Sequence, residues 1–402
     1  MAGMRKLPSL SRARWLRTPS LQRVLHLIAE AGGEARVAGG AVRNALLKVP
    51  ITEIDVATTL SPERVTEVCA ASGLHVHPTG IDHGTVTVVS DHHTYEVTTL
   101  RHDVETDGRR AKVKFTDDWQ ADAMRRDFTM NAMYCDARGK IYDFTDGYRD
   151  ALRRRIIFVG SPSQRIEEDY LRVLRFFRFH ARFGKGAPDK SGLDACIRHR
   201  KGLDGLSAER VRQEMFKLMA APGAVPTLKL MARSGILSHL LPYTENWRTI
   251  GRLPPDPLLR LAVLSAEPLT MRERWRLSNA EGKRIEAITS LMAPSPALRP
   301  SEQRAVLYHI GPEAWRDLVR IGWARSKAAL DDRSWKRLLR LPDRWPIPVM
   351  PVSGRDLIAA GVTAGPDLGL QLRQLEDWWV ASDFKSGKTE LLKRVAWEKD
   401  GG

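Results

Sequence analysis

The stretch VAGGAVRNALLKVPITEIDVAT, Val37 to Thr58, joins a glycine pair, an arginine and two carboxylates set two residues apart. Its front half reads as a short strand, ARVAG, turning through Gly39 and Gly40 into the helix AVRNALLK. Glycine lets another group approach the backbone closely. The first N–H groups of a helix have no acceptor within it and attract an anion. Arg43, one turn in, can add charge-assisted bonds to phosphate oxygens. The back half, EIDVAT, reads as a strand, on which alternate residues share a face. Glu53 and Asp55 are therefore expected to present both carboxylates to one side, with Ile54 and Val56 turned to the core. Two hard oxygen donors side by side suit Mg²⁺, which takes carboxylates and substrate phosphates together. Either half alone is commonplace. The combination predicts a triphosphate cradle beside a metal site, with Glu53 and Asp55 as ligands.

The chain has 402 residues, 43% hydrophobic and 28% charged, a globular composition long enough for more than one core. Sixty-four Lys and Arg against 48 Asp and Glu give a net charge of +16, which favours a polyanionic partner, nucleic acid or an anionic membrane surface. Cys69, Cys135 and Cys196 are far apart without metal-ligand spacing and read as reduced, packed thiols. No apolar run is long enough to span a bilayer. The first 29 residues hold no acid and read as a basic arm leading into an amphipathic helix, Leu21–Ala31. A soluble, cytoplasmic protein is expected.

SPERVTEVCAASG has a Ser cap with Pro and Glu in the first turn, a helix start. TVTVVS and TYEVTTL read as strands around the polar turn DHH. Beyond Ser161 helical periodicity takes over, in EEDYLRVLRFFRFHARF, AERVRQEMFKLM, AVPTLKLMARSG and EGKRIEAITSLM. The expected organisation is an arm (1–20), an α/β head (21–150), a helical neck (151–240) and a helical body and tail (241–402). His83, His92, His93 and the His102–Asp103 pair form no metal-ligand set.

Two further segments carry chemistry. RRDFTMNAM supplies Arg125 and Arg126 for phosphate, and Asp127 and Asn131, four apart on one expected helical face, to fix a loop or sugar. EEDYLRVLRFFRF places Asp169 and Arg172 three apart, an acceptor beside a donor on one expected helix. Cytosine and adenine each show an amino donor beside a ring-nitrogen acceptor, so one Asp–Arg pair can read both. Guanine and uracil show an acceptor beside a ring N–H, and each buried mismatch costs about 1–3 kcal/mol. Taken alone, such a pair is usually a solvated helix contact worth about 0.2–0.5 kcal/mol. Arg175 and Arg178 continue the basic series, to hold phosphate or orient that pair, and Leu171, Val173, Leu174, Phe176 and Phe177 read as core.

Together, GGAVRNALL followed by EID, RRDFTMNAM and EDYLRVLRFFRF resemble the motifs of template-independent nucleotidyltransferases, in the branch of class II CCA-adding enzymes and bacterial poly(A) polymerases. DGYRDAL (146–152), LSAERVRQE (206–214) and the tail stretch 352–379 extend the resemblance, and a structural role is expected for LSAERVRQE. The resemblance implies an α/β polymerase-β-like nucleotidyltransferase head followed by all-α neck, body and tail domains. It implies addition of C, C and A to the 3′ end of tRNA from CTP and ATP, by two-metal, Mg²⁺-dependent in-line attack of the 3′-hydroxyl, with the acceptor end and elbow of tRNA held by basic helical domains. By this resemblance Gly39, Gly40, Arg43, Arg125, Arg126, Asp127, Asn131, Asp169, Arg172, Arg175 and Arg178 bind nucleotide. Glu96, in EVTTLR, is equally a third catalytic acid or a plain strand residue bonded to a nearby turn, and the polar segment from Arg101 to Met124 resembles the family's flexible loop. Asn44 and Glu53 stand where the family usually has Asp, and Lys48 where it usually has Gly. A poly(A) polymerase or a catalytically silent RNA-binding relative are the alternatives.

Overall fold

The computed structural model describes residues 7–81, 84–107 and 110–399, so His83 and the DGRR residues Gly108 and Arg109 lie outside the described residues. The chain divides into two compact units, one through Pro242 and one from Tyr243.

The first unit carries all the named strands: β1 Ala35–Ala38, β2 Asp55–Thr58, β3 His75–Gly80, β4 Thr85–Ser90, β5 His93–Thr99, β6 Arg101–Asp107, β7 Arg110–Phe115, β8 Met133–Cys135 and β9 Ile141–Asp143. Seven form one sheet in the order β3-β4-β5-β2-β1-β8-β9, while β6 and β7 pair separately. Only β2 and β5 run parallel in the large sheet, in the register Asp55↔Glu96, and β1 flanks β2 antiparallel with Ala38↔Asp55. This register puts the β1 exit, Gly39, beside the first residue of β2. The central strands are buried on both faces: Val37, Ala38, Val56, Ala57 and Thr58 are all nearly inaccessible. The basic arm is tied to the sheet's far end, with the Leu10 N–H donating to the Gly139 carbonyl at 2.8 Å and the Leu16 side chain buried.

Helices α1 Pro19–Glu30, α2 Gly40–Leu47 and α3 Pro62–Ala71 accompany the sheet; α4 Trp119–Met124 and α5 Gly147–Leu152 follow the hairpin and the last strand. The helical remainder of the unit includes α6 Pro162–Glu168, α7 Leu171–Phe183, α8 Lys190–Arg198 and α9 Ala208–Met219. Leu171, Val173, Leu174, Phe176, Phe177 and Phe179 are buried on α7, and Phe128, Phe158 and Phe176 cluster with ring centroids 4.9–6.5 Å apart. The arginines at 172, 175 and 178, three apart, are left on one stripe of α7.

Four sequence expectations need correction. Glu53 is not on β2: antiparallel pairing begins at Ala38↔Asp55, and the residue that would oppose Glu53 has already entered α2. RRDFTMNAM is not an α-helix. Arg125 caps α4, the Thr129 N–H bonds the Ile157 carbonyl at 2.9 Å, and only Thr129–Asn131 turn, as one 3₁₀ turn. EEDYLRVLRFF is broken at Asp169, whose backbone is extended (φ −158°, ψ 105°) and whose carboxylate accepts the Leu171 N–H at 3.1 Å, so the side chain caps the next helix instead of continuing the last one. The expected loop after Arg101 is the β6–β7 hairpin, closed by Asp107↔Arg110; strand pairing satisfies its backbone despite a polar composition. Ser207 precedes α9 without a side-chain capping bond.

The second unit is helical. Leu307, Trp315, Val319, Trp335 and Leu338 form one core cluster, and Val352, Leu357, Val362, Leu375, Trp379 and Leu391 another. Arg284 ties Asp256 to Asp317 at 2.6 Å each. Pro366 starts the helix Pro366–Ala381, as its N-terminal preference requires. The three cysteines are free and buried, and among the described residues no helix is long and apolar enough to cross a membrane.

Lys48 ends α2 in the left-handed region, at φ 54° and ψ 39°. A Cβ is disfavoured there, and glycine's greater unfolded-state entropy offsets only part of the relief it brings. Lys48→Gly should therefore stabilise the protein by about 0.5–1 kcal/mol, seen as a higher urea midpoint at unchanged slope. A lower midpoint would show that the lysine side chain makes a compensating contact.

Candidate active site

A cleft of about 560 Å³ in the first unit is lined by Gly39, Gly40, Arg43, Glu53, Asp55, the RRD residues, Asn131, Asp169, Arg172, Arg175 and Arg178, and also by Phe179, Arg210 and Lys217. Eight cationic side chains face four carboxylates there. An excess of that size suits a bound polyanion such as a triphosphate.

The glycine turn fits tightly. Gly39 sits at φ 59°, and a Cβ there would lie 3.0 Å from the Asn131 carbonyl oxygen and 3.2 Å from Arg126. Its own N–H is spent on the Met133 carbonyl at 2.9 Å, so an anion at this helix start is left the N–H groups that follow. Arg43 donates to the Asn131 carboxamide oxygen and to Asn44 Oδ1 at 2.9 and 3.1 Å. Asn44, expected only as a missing charge, thus orients the arginine. Burial, then the field of Arg178, lowers the Arg43 pKa to about 10, and its guanidinium lies 4.3 Å from the Phe183 ring centroid. A crowded, partly desolvated cation of this kind gains from a bound anion.

Asp127 anchors the next group. Its carboxylate accepts from the Phe128 N–H at 2.8 Å, Asn131 Nδ2 at 3.1 Å, and Arg175 Nε and Nη2 at 2.7 and 2.5 Å. Burial opposes ionisation, but Arg175 and these bonds hold the pKa below the ordinary carboxylate range. Asp127 and Asn131 do meet, though through a tight turn rather than a helix face.

Arg125 and Arg126 are aimed by a residue that sequence reasoning missed, Asp122. Its nearly inaccessible carboxylate takes Arg125 Nη2 at 2.6 Å, Arg126 Nη2 at 3.0 Å and the Tyr134 hydroxyl at 2.6 Å. The i,i+3 and i,i+4 spacings were visible in the sequence. Glu168 plays the same part for Arg172, pairing with it four residues on. Glu214 pairs with Arg178 and Arg210 with Asp169, at 2.7 Å for the latter, across 36 and 41 residues of sequence, which no local pattern reports. Asp169 and Arg172 line the same cleft but pair with these other partners, not with each other.

Asp55 and Glu53 meet at the cleft wall, Glu53 from the segment before β2. Glu96 is Asp55's register partner, is exposed, and is not part of the cleft lining. Burial and then the Glu96 charge raise the Asp55 pKa, Arg126 opposes them, and Glu53 adds to the rise. A carboxylate under that like-charge pressure fits a divalent cation. Among the described residues no three acidic, His or Cys side chains group as a ready metal cage.

Residues 35–157 match the family described as "Poly A polymerase head domain", and residues 188–248 match "Probable RNA and SrmB- binding site of polymerase A". The chain is 34% identical over 399 residues to "CCA tRNA nucleotidyltransferase 1, mitochondrial" of Mus musculus, covering 94% of this chain and 90% of that one. It is 31% identical over 388 residues to the "CCA-adding enzyme" of Lactobacillus delbrueckii subsp. bulgaricus, covering 93% and 96%.

The chain belongs to the CCA-adding enzyme and poly(A) polymerase family.

Among solved structures, the Bacillus stearothermophilus CCA-adding enzyme in complex with CTP superposes with a TM-score of 0.81 at 28% identity, over 96% of this chain and 100% of that one. The Thermotoga maritima CCA-adding enzyme complexed with tRNA shares the fold, at a TM-score of 0.68 and 19% identity. A polymerase-β-like head followed in sequence by helical domains is thus the fold of this family member. Enzymes of this family generally need a divalent metal, and the Glu53–Asp55 wall is where the chemistry of the donors fits one.

Burial would raise the Asp122 pKa, but Arg126 and then Arg125 outweigh it and lower it from 3.8 to about 2. A depressed carboxylate contributes stability that is full above its unfolded value and is lost as pH falls through the folded one. Asp122→Asn should therefore cost about 2 kcal/mol at pH 7, and the gap to the wild type should close as pH drops from about 4 towards 2. Denaturant unfolding across that range checks it; a gap independent of pH would leave Asp122 without the ionic role assigned here.

Proposed function

We propose that this enzyme adds C, C and A to the 3′ end of tRNA, using CTP and ATP and no nucleic-acid template. One observation carries the reading. The chain aligns nearly end to end with CCA-adding enzymes while its own cleft brings a carboxylate wall, a cationic cradle and the Asp169–Arg172 pair together.

In this reading Gly39, Gly40, Arg43, Arg125 and Arg126 hold the triphosphate. Asp127 and Asn131 orient Arg43 and Arg175, and Arg175 and Arg178 line the path between phosphate and base. Asp169 accepts the amino group of cytosine or adenine, and Arg172 donates to the ring nitrogen beside it. The tRNA 3′-hydroxyl attacks the α-phosphorus, its oxygen forms the new ester bond, and pyrophosphate leaves. Glu53 and Asp55 would hold the divalent cation, for which we propose Mg²⁺, with Glu96 tuning Asp55 from the neighbouring strand. When bound, the cation lowers the proton affinity of the attacking hydroxyl and neutralises phosphate charge. tRNA, through its acceptor end and elbow, is the polyanion that the +16 chain engages. The proposed site of action is the cytoplasm.

Incorporation into tRNA transcripts ending before CCA, with CTP, ATP, both or neither, tests the reading. CC from CTP alone and a single terminal A when both are supplied are the expected products. Long A tails from ATP alone would make the chain a poly(A) polymerase. Separately, alanine at both Glu53 and Asp55 should abolish incorporation and leave tRNA affinity within about twofold, as measured by filter binding. Collapse of tRNA binding in that variant would mean that the two acids hold the head together rather than a metal.

A further inference from the structure

An Asp and an Arg three apart on one helix ordinarily bond to each other. Such a closed pair would present no free acceptor and donor to a base. Here two features keep it open. The helix is broken between them, with Asp169 in extended backbone and Arg172 in the first turn of α7. Each is also drawn to an outside partner: Arg172 to Glu168 and, at 2.7 Å, to the Arg165 carbonyl; Asp169 to Arg210 Nη2 at 2.7 Å and to the Leu171 N–H at 3.1 Å.

The outside partner of Asp169 comes from a segment assigned only a structural part by its sequence. The 3₁₀ turn Arg200–Gly205 just before that segment grips the break at a second point. A Cβ on Gly202 would fall 2.0–2.4 Å from the Tyr170 ring, so the residue between Asp169 and Leu171 rests directly on the glycine backbone. Gly202 and Arg210 therefore both brace the break, one through Tyr170 and one through the Asp169 carboxylate. Arg210 also lines the cleft, its side chain one-third exposed and its guanidinium 2.7 Å from the Asp169 carboxylate.

We propose that Arg210 is a positioning residue that sets nucleotide selectivity, by holding the Asp169 carboxylate away from Arg172 and turned to the base. This rests on the reading of Asp169 and Arg172 as the base-selecting pair. With Arg210 gone, Asp169 is free to fold onto Arg172. Cytosine and adenine then lose their acceptor, and uracil and guanine lose one of the two mismatches that exclude them, the acceptor–acceptor clash.

The test measures kcat and KM for all four nucleoside triphosphates on tRNA transcripts ending before CCA, for the wild type, Arg210→Met, Arg210→Lys, Asp169→Ala and the Asp169→Ala/Arg210→Met double variant, with thermal unfolding of each. Arg210→Met should lower the CTP-to-UTP ratio of kcat/KM at least tenfold, mostly through a higher KM for CTP. Arg210→Lys, which keeps the charge without the planar fork, should recover part of the ratio and serves alone if the methionine variant does not fold. In the Asp169→Ala background, Arg210→Met should change the ratio no further. An unchanged ratio in the Arg210 variants, or equal loss with all four nucleotides, overturns the proposal. An unchanged ratio in Asp169→Ala overturns instead the base-reading role on which it rests.

Discussion

The nearly buried carboxylate of Asp127 is the constraint on which the site depends. It takes Arg175 from α7, Asn131 from its own turn and one backbone N–H, and Asn131 in turn takes Arg43 from α2. Three separate pieces of chain are thereby locked in one geometry. Removing the carboxylate would leave Arg175 partly buried with only Glu214, 3.9 Å away, to offset its charge, the costly half of breaking such a pair. The pair is therefore better understood as fixing arrangement than as adding net stability, and arrangement is what the proposed reading of phosphate and base requires.

The same device recurs along the cleft. Asp122, Glu168, Glu214 and Asp127 each stand behind one or two arginines and aim them. Unbraced, so many guanidiniums would repel one another and spread into solvent, and the entropy of ordering them would fall on substrate binding. Braced, they are set before the anion arrives. Arg43 shows the remaining tension, its pKa brought down to about 10 by burial and by its cationic neighbours. At the opposite wall Asp55 is under pressure of the other sign, from burial and Glu96. The site thus separates an electron-rich wall, suited to a cation, from a cationic cradle suited to phosphates.

Much of this was legible in the sequence, and the misses share a cause. The strands ARVAG, TVTVVS and TYEVTTL, the helix after the glycine pair and AERVRQEMFKLM as α9 follow from periodicity and turn chemistry. Residue type and the family resemblance pointed to the glycine pair, the RRD arginines and the α7 stripe that line the cleft. What failed was the assumption that a spacing implies one element. Glu53 lost its strand because its would-be partner had turned into α2, and Asp169 lost its helix because its side chain bonds forward to Leu171. A polar hairpin was taken for a loop because backbone pairing leaves no mark on composition.

The sequence by itself determined the chemical inventory: paired acids beside a glycine turn, clustered arginines, an Asp and an Arg three residues apart, and a strong positive charge. Those are properties of side chains and of near neighbours, which local spacing encodes. Only the tertiary structure decided the pairings: Asp55 against Glu96, Arg178 against Glu214, Asp169 against Arg210. Each joins residues dozens of positions apart, and neither a strand register nor an ion pair has a preferred sequence separation. Its formation depends on which helices and strands the apolar core brings side by side, and that is settled by packing rather than by the charged residues themselves.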